Sequence, residues 1–548
     1  MSNKICLNCK NKFEITPEEK DLYKKFDVPE EELCFKCSQT QRLAYRNERN
    51  LYSRKCDFSG EQIISAYSSD KPFKVYKSDI WYSDKWDPME YGRDFDFSRP
   101  FFEQFYELQL AVPRLALLNV NNENSEYCNF TVGNKNCYLV FGGDYNTDVM
   151  YGTLCINNKD SLDLDYSNKN ELSYFLNDSI GCYGCIYTFD SKNCNNCAFI
   201  SDCTACNDCI LCTNLVNKSY CIFNEQHTKE EYLKMKDEIL TGGFIQLNRI
   251  FIEFKKILSQ RIVKSQHMLS SENCSGDYLK NSKNCINCFD VSDSQDLRNI
   301  IFASKSKDCF NCSLLGDNTE LCYGMLSTVG AYNSKFSQFV LDSSNTEYGK
   351  FIFFNCENTF GCFGLRRKKN CILNKQYSEE EFKNMRSRII EHMKKTGEWG
   401  KFFPPKISDF AYNETVANEF TPLTEEEAKK QGYTWKKTDK KDYKKQDYKV
   451  PDLIKDVPES ITNEVLACSD CGKNFKILQK ELEFYKKLNL PIPQKCPDCR
   501  HKERFDMRNA RSLWDRNCIR CHQGIKTTYS SERPEKVYCE SCYLKEVY

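Results

Sequence analysis

The 548-residue chain has few histidines, no excess of either charge and no long apolar run, and each absence removes a class of function. Five histidines leave little material for acid–base catalysis or for histidine-rich metal sites. Basic and acidic residues number 78 each, which argues against a uniformly basic surface for polyanions. No segment approaches the ~18 apolar residues of a membrane span. The first residues do not resemble a signal peptide, so we expect no membrane association and a cytoplasmic setting.

The motifs of several common enzyme classes are also missing. The sequence contains no G-x4-G-K-[ST] loop, no G-x-G-x2-G turn, no G-x-S-x-G elbow and no H-E-x2-H pair. No small-molecule substrate is therefore evident. Asp163 and Asp165 alternate onto one face of a predicted strand. They admit two interpretations: the carboxylates of a carbohydrate-active enzyme, or acidic residues on a solvated strand face.

Cysteine is abundant, and its arrangement reveals that the two ends of the chain are copies. The sequence has 34 cysteines, and in a reducing compartment paired cysteines bind metal more often than they form disulfides. The segment from Cys6 to Tyr76 matches the segment from Cys468 to Tyr538 without a gap. Two segments in such register are one module used twice.

Each module opens with C-x2-C-x24-C-x2-C, which places two thiolate pairs around one tetrahedral zinc ion. The C-terminal module carries a second set, C-x2-C-x17-C-x2-C. At the same positions the N-terminal module has Cys56, Ser59, Lys77 and Ile80, so we interpret Cys56 as a small buried hydrophobe. We predict about three structural zinc ions per chain. Their ligands are Cys6, Cys9, Cys34 and Cys37; Cys468, Cys471, Cys496 and Cys499; and Cys518, Cys521, Cys539 and Cys542.

A row of arginines follows the second cysteine pair of each module. If the segment is helical, these arginines share one face. Residues 461–548 hold 17 basic and 12 acidic side chains. The row therefore predicts a phosphate contact with RNA, DNA or a ribonucleoprotein; alternatively, it pairs with Glu503 and Asp506 or with the protein's own acidic middle. The row comprises Arg42, Arg46 and Arg49 in the first module and Arg500, Arg504, Arg508 and Arg511 in the second.

The middle of the chain is a second duplication. The segment Ser219–Tyr232 recurs later in the chain as Asn370–Phe382. Thr228 with Glu231, and Ser378 with Glu381, are capping boxes that predict a helix after each copy. The preceding stretches, 121–224 and 271–374, repeat a phrase of Lys-Asx-Cys type at loosely regular intervals. Asparagine turns between short β-prone runs predict the coils of a parallel β-solenoid in two lobes.

Two features of the first lobe bear on its role. Four cysteines at every third position predict either inward-facing core residues or part of an additional metal site. The stretch 121–224 also holds five lysines against twelve acidic residues, so we expect it to repel polyanions or to dock a basic surface. The four cysteines are Cys203, Cys206, Cys209 and Cys212.

These patterns predict a multidomain, mainly β protein with helices, in which four-cysteine modules of the zinc-ribbon or treble-clef-like type flank a duplicated, parallel β-solenoid-like middle. The predicted segments are an N-terminal zinc module (1–118), a first lobe with closing helices (119–265), a second lobe (266–425), a charged linker (426–460) and a C-terminal double zinc module (461–548).

Three phrases, Asp94–Phe105, Pro113–Leu115 and Asn413–Ala417, join the cysteine modules in a resemblance that spans nearly the whole chain. The chain resembles zinc-ribbon proteins, without an assigned activity, encoded by ultra-small bacteria of candidate phyla. The resemblance implies a cytoplasmic bacterial setting and no particular reaction. The expected function is zinc-dependent, non-enzymatic binding or scaffolding, with nucleic acid, a ribonucleoprotein or another protein as partner. An enzyme built on the solenoid remains the alternative.

Overall fold

The computed structural model describes residues 2–437 and 443–547, so part of the predicted charged linker, 438–442, lies outside the described residues. The chain is a mixed α/β, multidomain protein with cysteine clusters near both ends and large parallel sheets in the middle. It forms two compact units, Met1–Leu117 with Gln266–Lys437 and Leu118–Ser265 with Thr438–Tyr548. Each unit thus combines one end of the chain with half of its middle, and the five predicted segments stay a prediction. Among the described helices, none has both the length and the apolar composition that a membrane crossing requires.

The second unit is built on a nine-stranded sheet in which each strand pairs with the next one along the chain. Eight strands are parallel, and the register advances by 12 residues, as in the pairs Leu162–Tyr174 and Ile186–Ala198. No crossover helix separates these strands, unlike the usual connection in a parallel sheet. The strands of the sheet are Tyr138–Phe141, Thr147–Thr153, Lys159–Asp165, Tyr174–Asn177, Ile186–Phe189, Ala198–Ser201, Asn207–Thr213, Ser219–Ile222 and Glu225–Gln226.

The remaining elements of this unit are short strands and helices. The strands are Asn119–Val120, Thr131–Val132, Ile262–Lys264, Leu466–Ala467, Asn474–Phe475, Trp514–Asn517, Gly524–Thr527 and Lys536–Tyr538. The α-helices are Lys229–Ile239, Phe244–Gln260, Gln479–Lys487, Pro497–Asp506 and Glu540–Val547, and the 3-10 helices are Ile454–Asp456 and Glu459–Asn463.

Buried polar side chains hold the strands of the first lobe in register. Asn158 Nδ2 donates to Asn146 Oδ1 at 3.0 Å and to the Ser167 carbonyl at 2.9 Å. Its Oδ1 accepts from the Asn170 backbone N–H at 2.9 Å. Such a ladder satisfies buried polar groups that would otherwise be costly, and it ties each strand to the next.

Cysteines continue this interior column after the asparagines. Cys206 is fully buried, and its thiol donates to the carbonyls of Thr204 and Leu215 at 3.5 and 3.4 Å. Cys203, Cys209 and Cys212 are equally buried, which confirms that the four cysteines of the first lobe face inward. Among the described residues they are not one of the groups whose ligand atoms converge around a single point.

Left-handed backbone recurs at every third residue of the lobe. Asparagine, aspartate and glycine adopt it at little cost, whereas aromatic residues are strained there. Tyr187 and Phe199 nevertheless have φ of 48° and 54°, and their rings pack on Phe251 and Phe254 of the helix Phe244–Gln260. We infer that this packing offsets the backbone strain. One run of left-handed positions is Asn136, Leu139, Gly142, Tyr145 and Asp148.

The first unit contains the corresponding sheets of the second lobe, one with eight strands and one with four. The register again advances by 12 residues, as from Leu326 to Gln338. Two steps are one residue longer, from Ser313 to Leu326 and from Thr346 to Thr359, and the first step, from Met268 to Leu279, is one residue shorter. The strands are Met268–Leu269, Gly276–Lys280, Ile286–Ser292, Arg298–Ser304, Ser313–Leu315, Leu326–Val329, Gln338–Leu341, Ser344–Glu347, Lys350–Phe353, Glu357–Phe360, Lys369–Ile372 and Lys375–Gln376.

The other elements of the first unit surround these sheets. The strands are Ser2–Ile5, Lys12–Ile15, Tyr52–Lys55, Gln62–Ser65, Val75–Tyr76 and Arg114–Leu115. The α-helices are Pro17–Lys25, Phe35–Leu43, Ser78–Tyr82, Phe101–Ala111, Glu379–Thr396, Val416–Phe420 and Glu425–Lys430, and the 3-10 helices are Pro88–Tyr91, Pro405–Ile407 and Tyr412–Glu414.

A capped helix closes each lobe, as the sequence predicts. The Thr228 hydroxyl accepts from the Glu231 backbone N–H at 3.3 Å, and the Glu231 carboxylate accepts from the Thr228 N–H at 2.9 Å. Ser378 and Glu381 repeat both bonds at the same distances. The capping boxes are therefore confirmed.

Candidate metal centres and arginine clusters

The twelve predicted cysteine ligands converge into three groups of four. Within each group all four sulfur atoms lie within 4.8 Å of one another. The Sγ–Sγ distance is 3.7 Å for Cys9–Cys34, for Cys471–Cys496 and for Cys521–Cys539. Each group could hold a metal ion, and every cysteine in it is a free thiol.

Backbone N–H groups point at the sulfur of the first cysteine in each group. Cys34 N donates to Cys6 Sγ at 3.3 Å, and Cys496 N donates to Cys468 Sγ at 3.2 Å. Burial raises the pKa of Cys468, but the N–H donors outweigh it and lower this pKa to about 7. The same balance lowers the pKa of Cys518 to about 6. The thiolate is the form that binds metal, so these donors prepare the ligands.

The N-terminal module keeps part of the second cysteine set without its ligands. Cys56 is buried, as predicted, and its sulfur accepts from the backbone N–H groups of Ser59 and Lys77 at 3.5 and 3.3 Å. Nearby, the rings of Trp81 and Trp86 pack against each other, with centroids 5.7 Å apart. Aromatic packing thus stabilises this part of the N-terminal module, which lacks the second four-cysteine group of the C-terminal module.

The arginine row is only partly helical. The helix Pro497–Asp506 contains Arg500 and Arg504 but ends before Arg508 and Arg511. In the N-terminal module, the helix Phe35–Leu43 contains Arg42 and ends before Arg46 and Arg49. The condition for a shared helical face is therefore met for Arg500 and Arg504 but not for Arg508 and Arg511.

Arg500 and Arg504 are buried against two aspartates of the first lobe. Arg504 Nη1 lies 2.7 Å from Asp163 Oδ1, and its Nε lies 3.0 Å from Asp165 Oδ2. Arg500 Nε donates to Asp163 Oδ2 at 2.8 Å. Burial alone would lower the pKa of Arg504, but the two carboxylates raise it above its ordinary value.

The two aspartates do not behave as the sequence analysis expected. The side chains of Asp163 and Asp165 are 0% exposed, so the interpretation as a solvated strand face is wrong. Their carboxylates are occupied by arginine and do not line an open cleft. The other expectation, that the acidic lobe docks the protein's own basic residues, is confirmed.

The arginines beyond the helix extend the same contact. Arg508 Nε and Nη2 each donate to a different oxygen of Asp178 at 2.7 Å, and the guanidinium lies over the Tyr166 ring at 3.4 Å. Arg511 Nη2 donates to the Tyr166 hydroxyl at 2.8 Å. Contact of this row with a phosphate stays a prediction, and it would require Arg500 and Arg504 to leave their buried partners.

The first unit repeats the arrangement with serines in place of aspartates. Arg42 is buried, and its Nε donates to Ser313 Oγ at 3.3 Å. Arg46 Nη1 donates to Ser327 Oγ at 2.6 Å, and its Nε pairs with Glu48. Arg49 lies 3.9 Å from Glu419. Burial lowers the pKa of Arg42 and outweighs the opposing effect of nearby groups such as Glu31.

Two members of the second cluster were missed by the sequence analysis. Glu481 is buried, accepts from the hydroxyls of Tyr151 and Tyr485 at 2.9 and 2.7 Å, and lies 3.4 Å from Arg500. Burial raises the pKa of Glu481 above that of a solvated glutamate. His501 Nδ1 lies 3.2 Å from Asp165 Oδ2. The sequence signal for Glu481 is its position one helical turn before Tyr485, at the spacing that lets two side chains of a helix interact.

Comparisons with known proteins add little. No family model matches the chain, and no curated protein matches it. One solved structure that matches comes from Desulfovibrio desulfuricans G20 and is provisionally described as an acetyltransferase. It is 10% identical, the match covers 51% of this chain and 82% of that chain, and the TM-score is 0.10. A TM-score this low supports no conclusion about the fold or the activity of this chain.

Proposed function

We propose that the protein is a zinc-binding, non-enzymatic scaffold with three structural zinc ions. The three four-cysteine groups carry this proposal. A tetrahedral zinc shell with Zn–S bonds of ~2.3 Å has sulfurs about 3.8 Å apart, close to the 3.7 Å between sulfurs in each group. Four protein ligands leave no open coordination position, so such zinc stabilises the fold and does not bind substrate.

The zinc ions would also hold the arginine clusters in place. Cys34 and Cys496 are the N-cap residues of the helices that carry Arg42 and Arg504. Cys499 directly precedes Arg500 in the helix that lies on Asp163 and Asp165. A metal ion that fixes these cysteines therefore fixes the start of the arginine helix, and with it the attachment of the module to its sheet.

We further propose that the regular register step in the parallel sheets of both lobes reflects β-solenoid coils. The interior asparagine, serine and cysteine ladders support this proposal because they recur at the same interval of 12 residues. Two such lobes, each clamped by a cysteine module of the zinc-ribbon type, would form rigid platforms for a protein partner. Nucleic acid or a ribonucleoprotein stays the second candidate partner, supported by the basic excess of residues 461–548.

Metal analysis tests the scaffold proposal. We expect about three zinc ions per chain after gentle purification, because each closed cysteine shell binds tightly. The variant Cys539→Ser should retain about two, since one shell loses a ligand. Elemental analysis measures the zinc content of both proteins, and thiol counting in denaturant distinguishes free thiols from disulfides. A zinc content near zero, or disulfides in place of free thiols, would contradict the proposal.

A binding assay separates the two candidate partners. Because the arginine clusters are engaged within the protein, we expect no binding to fluorescent RNA or duplex DNA, even at low ionic strength. Fluorescence anisotropy measures this directly. Binding that falls steeply with salt, and that weakens when the half-buried Arg511 is replaced by alanine, would instead support the nucleic-acid proposal.

A further inference from the structure

A charged cavity lies in the first unit, away from the cysteine groups. It encloses about 260 Å³ and is open to solvent on one side. Its wall contains both aromatic and charged side chains, contributed by the segments 70–73, 106–110, 406–414 and 434–436.

Directly behind the wall, an ion cluster with one more positive than negative charge surrounds the lining residue Asp409, while its two cations, Arg114 and Lys350, are fully buried. Asp409 is buried and accepts from Arg114 Nη2 and Gln109 Nε2, both at 2.9 Å. The Lys350 ammonium lies 3.6 Å from its other oxygen. Burial raises the pKa of Asp409, but Arg114 and Lys350 outweigh it and lower this pKa below the usual range. One carboxylate therefore faces two cations.

The outer part of the wall adds a further positive charge. Glu414 is matched by Lys71 at 3.1 Å, and Asp70 is matched by Lys436 at 3.4 Å. Lys406 is exposed and has no ionic partner within the described residues. The side chains that line the cavity carry three carboxylates and three cations, and the two buried cations behind Asp409 raise the total to five cations. Every carboxylate is already paired.

We propose that this cavity binds a small anion, one with a phosphate or carboxylate group attached to a flat ring. The surplus of positive charge comes from Arg114 and Lys350 behind the wall, and at this partly enclosed surface it attracts an anion and disfavours a cation. Phe73, Tyr106 and Trp435 line the same space and offer ring surfaces for the rest of the ligand. The volume of about 260 Å³ restricts the ligand to a small metabolite. This inference is independent of the zinc sites.

The test uses the full-length chain and three probes. Inorganic phosphate tests the phosphate group alone. Benzoate tests a carboxylate group attached to a ring, and benzylamine is its cationic counterpart. We expect phosphate, benzoate or both to bind, with a change in tryptophan fluorescence that the variant Trp435→Phe abolishes. Calorimetry gives the affinity. Binding of only one of the two anions identifies the preferred group.

A matched pair of lysine variants provides the control. Lys406→Ala should weaken anion binding about fivefold, the effect of one nearby charge at a partly solvated site. Lys401→Ala should leave the affinity unchanged, since Lys401 is 54% exposed, pairs with Glu32 and does not line the cavity. The proposal is overturned if neither anion binds at about 10 mM, a concentration above the roughly millimolar Kd expected for so small a ligand. Preference for benzylamine, or equal effects of the two lysine variants, would also overturn it.

Discussion

Replacing Cys496 by serine should release one zinc ion and unfold the part of the C-terminal module that holds it. Cys496 lies 3.7 Å from Cys471 across the proposed zinc shell and is the N-cap residue of the helix Pro497–Asp506. Structural zinc in small cysteine sites contributes about 10–16 kcal/mol of binding energy, which is also folding energy. Loss of the shell should therefore free the helix and release Arg500 and Arg504 from the sheet.

Hydrogen exchange of the full-length variant, together with zinc analysis, measures both effects. The control is Cys209→Ser, which changes a fully buried thiol in the sheet interior. Serine already occupies positions of the same interior column, such as Ser173, whose hydroxyl makes the equivalent bond to a backbone carbonyl. The control should keep its zinc and its protection from exchange. Retention of all zinc and of normal protection in Cys496→Ser would refute the structural role of this site.

Replacing Arg504 by methionine should cost about 3–5 kcal/mol of unfolding free energy, because it leaves buried carboxylates with too little positive charge. Arg504 contacts both Asp163 and Asp165, and all three side chains are 0% exposed. Arg500 would then remain with Asp163 and Glu481, and Asp165 would keep only the contact with His501 among these groups. Chemical denaturation of the zinc-loaded protein measures the loss.

A second variant on the same helix separates the buried pair from surface charge. Lys502 pairs with Asp506, but the two side chains are 72% and 57% exposed. Lys502→Met should therefore cost no more than about 0.5 kcal/mol. Adding Asp163→Leu and Asp165→Leu to the Arg504 variant should restore part of the lost stability, since the unpaired charges are removed. Equal losses for Lys502→Met and Arg504→Met would show that the buried cluster has no special role.

Local patterns in the sequence were sufficient to locate the cysteine groups and the closing helices. A C-x2-C turn brings its two thiols together through backbone geometry alone, and a capping box involves residues only three apart. For the same reason the helix Gln479–Lys487 follows the apolar spacing of Leu482 and Tyr485. The C-x2-C turns, the capping boxes and this helix all depend on residues that lie close together in the sequence.

The repeat length of the two middle stretches, 121–224 and 271–374, was harder to recognise in the sequence. The phrase of Lys-Asx-Cys type recurs from Lys135 to Lys159, and again from Lys283 to Lys307, which is twice the register step of the sheets. The other spacings in the first stretch, from Lys159 to Lys169 and from Lys169 to Lys192, are not multiples of that step, so the phrase does not mark the strands regularly. Interior positions are instead filled by a mixture of asparagine, serine, cysteine and aliphatic side chains, so no single residue type reveals the shorter step.

The sequence by itself determined which cysteines group together, where the closing helices begin and that both the ends and the middle are duplicated. Only the tertiary structure decided that each end joins the more distant half of the middle in one compact unit. It also decided that Asp163 and Asp165 are buried under Arg504, which follows them by 341 and 339 residues. The physical reason is that an aspartate and an arginine carry the same charges whether they face water, a phosphate or each other. Which partner they meet depends on folding contacts that no local pattern records.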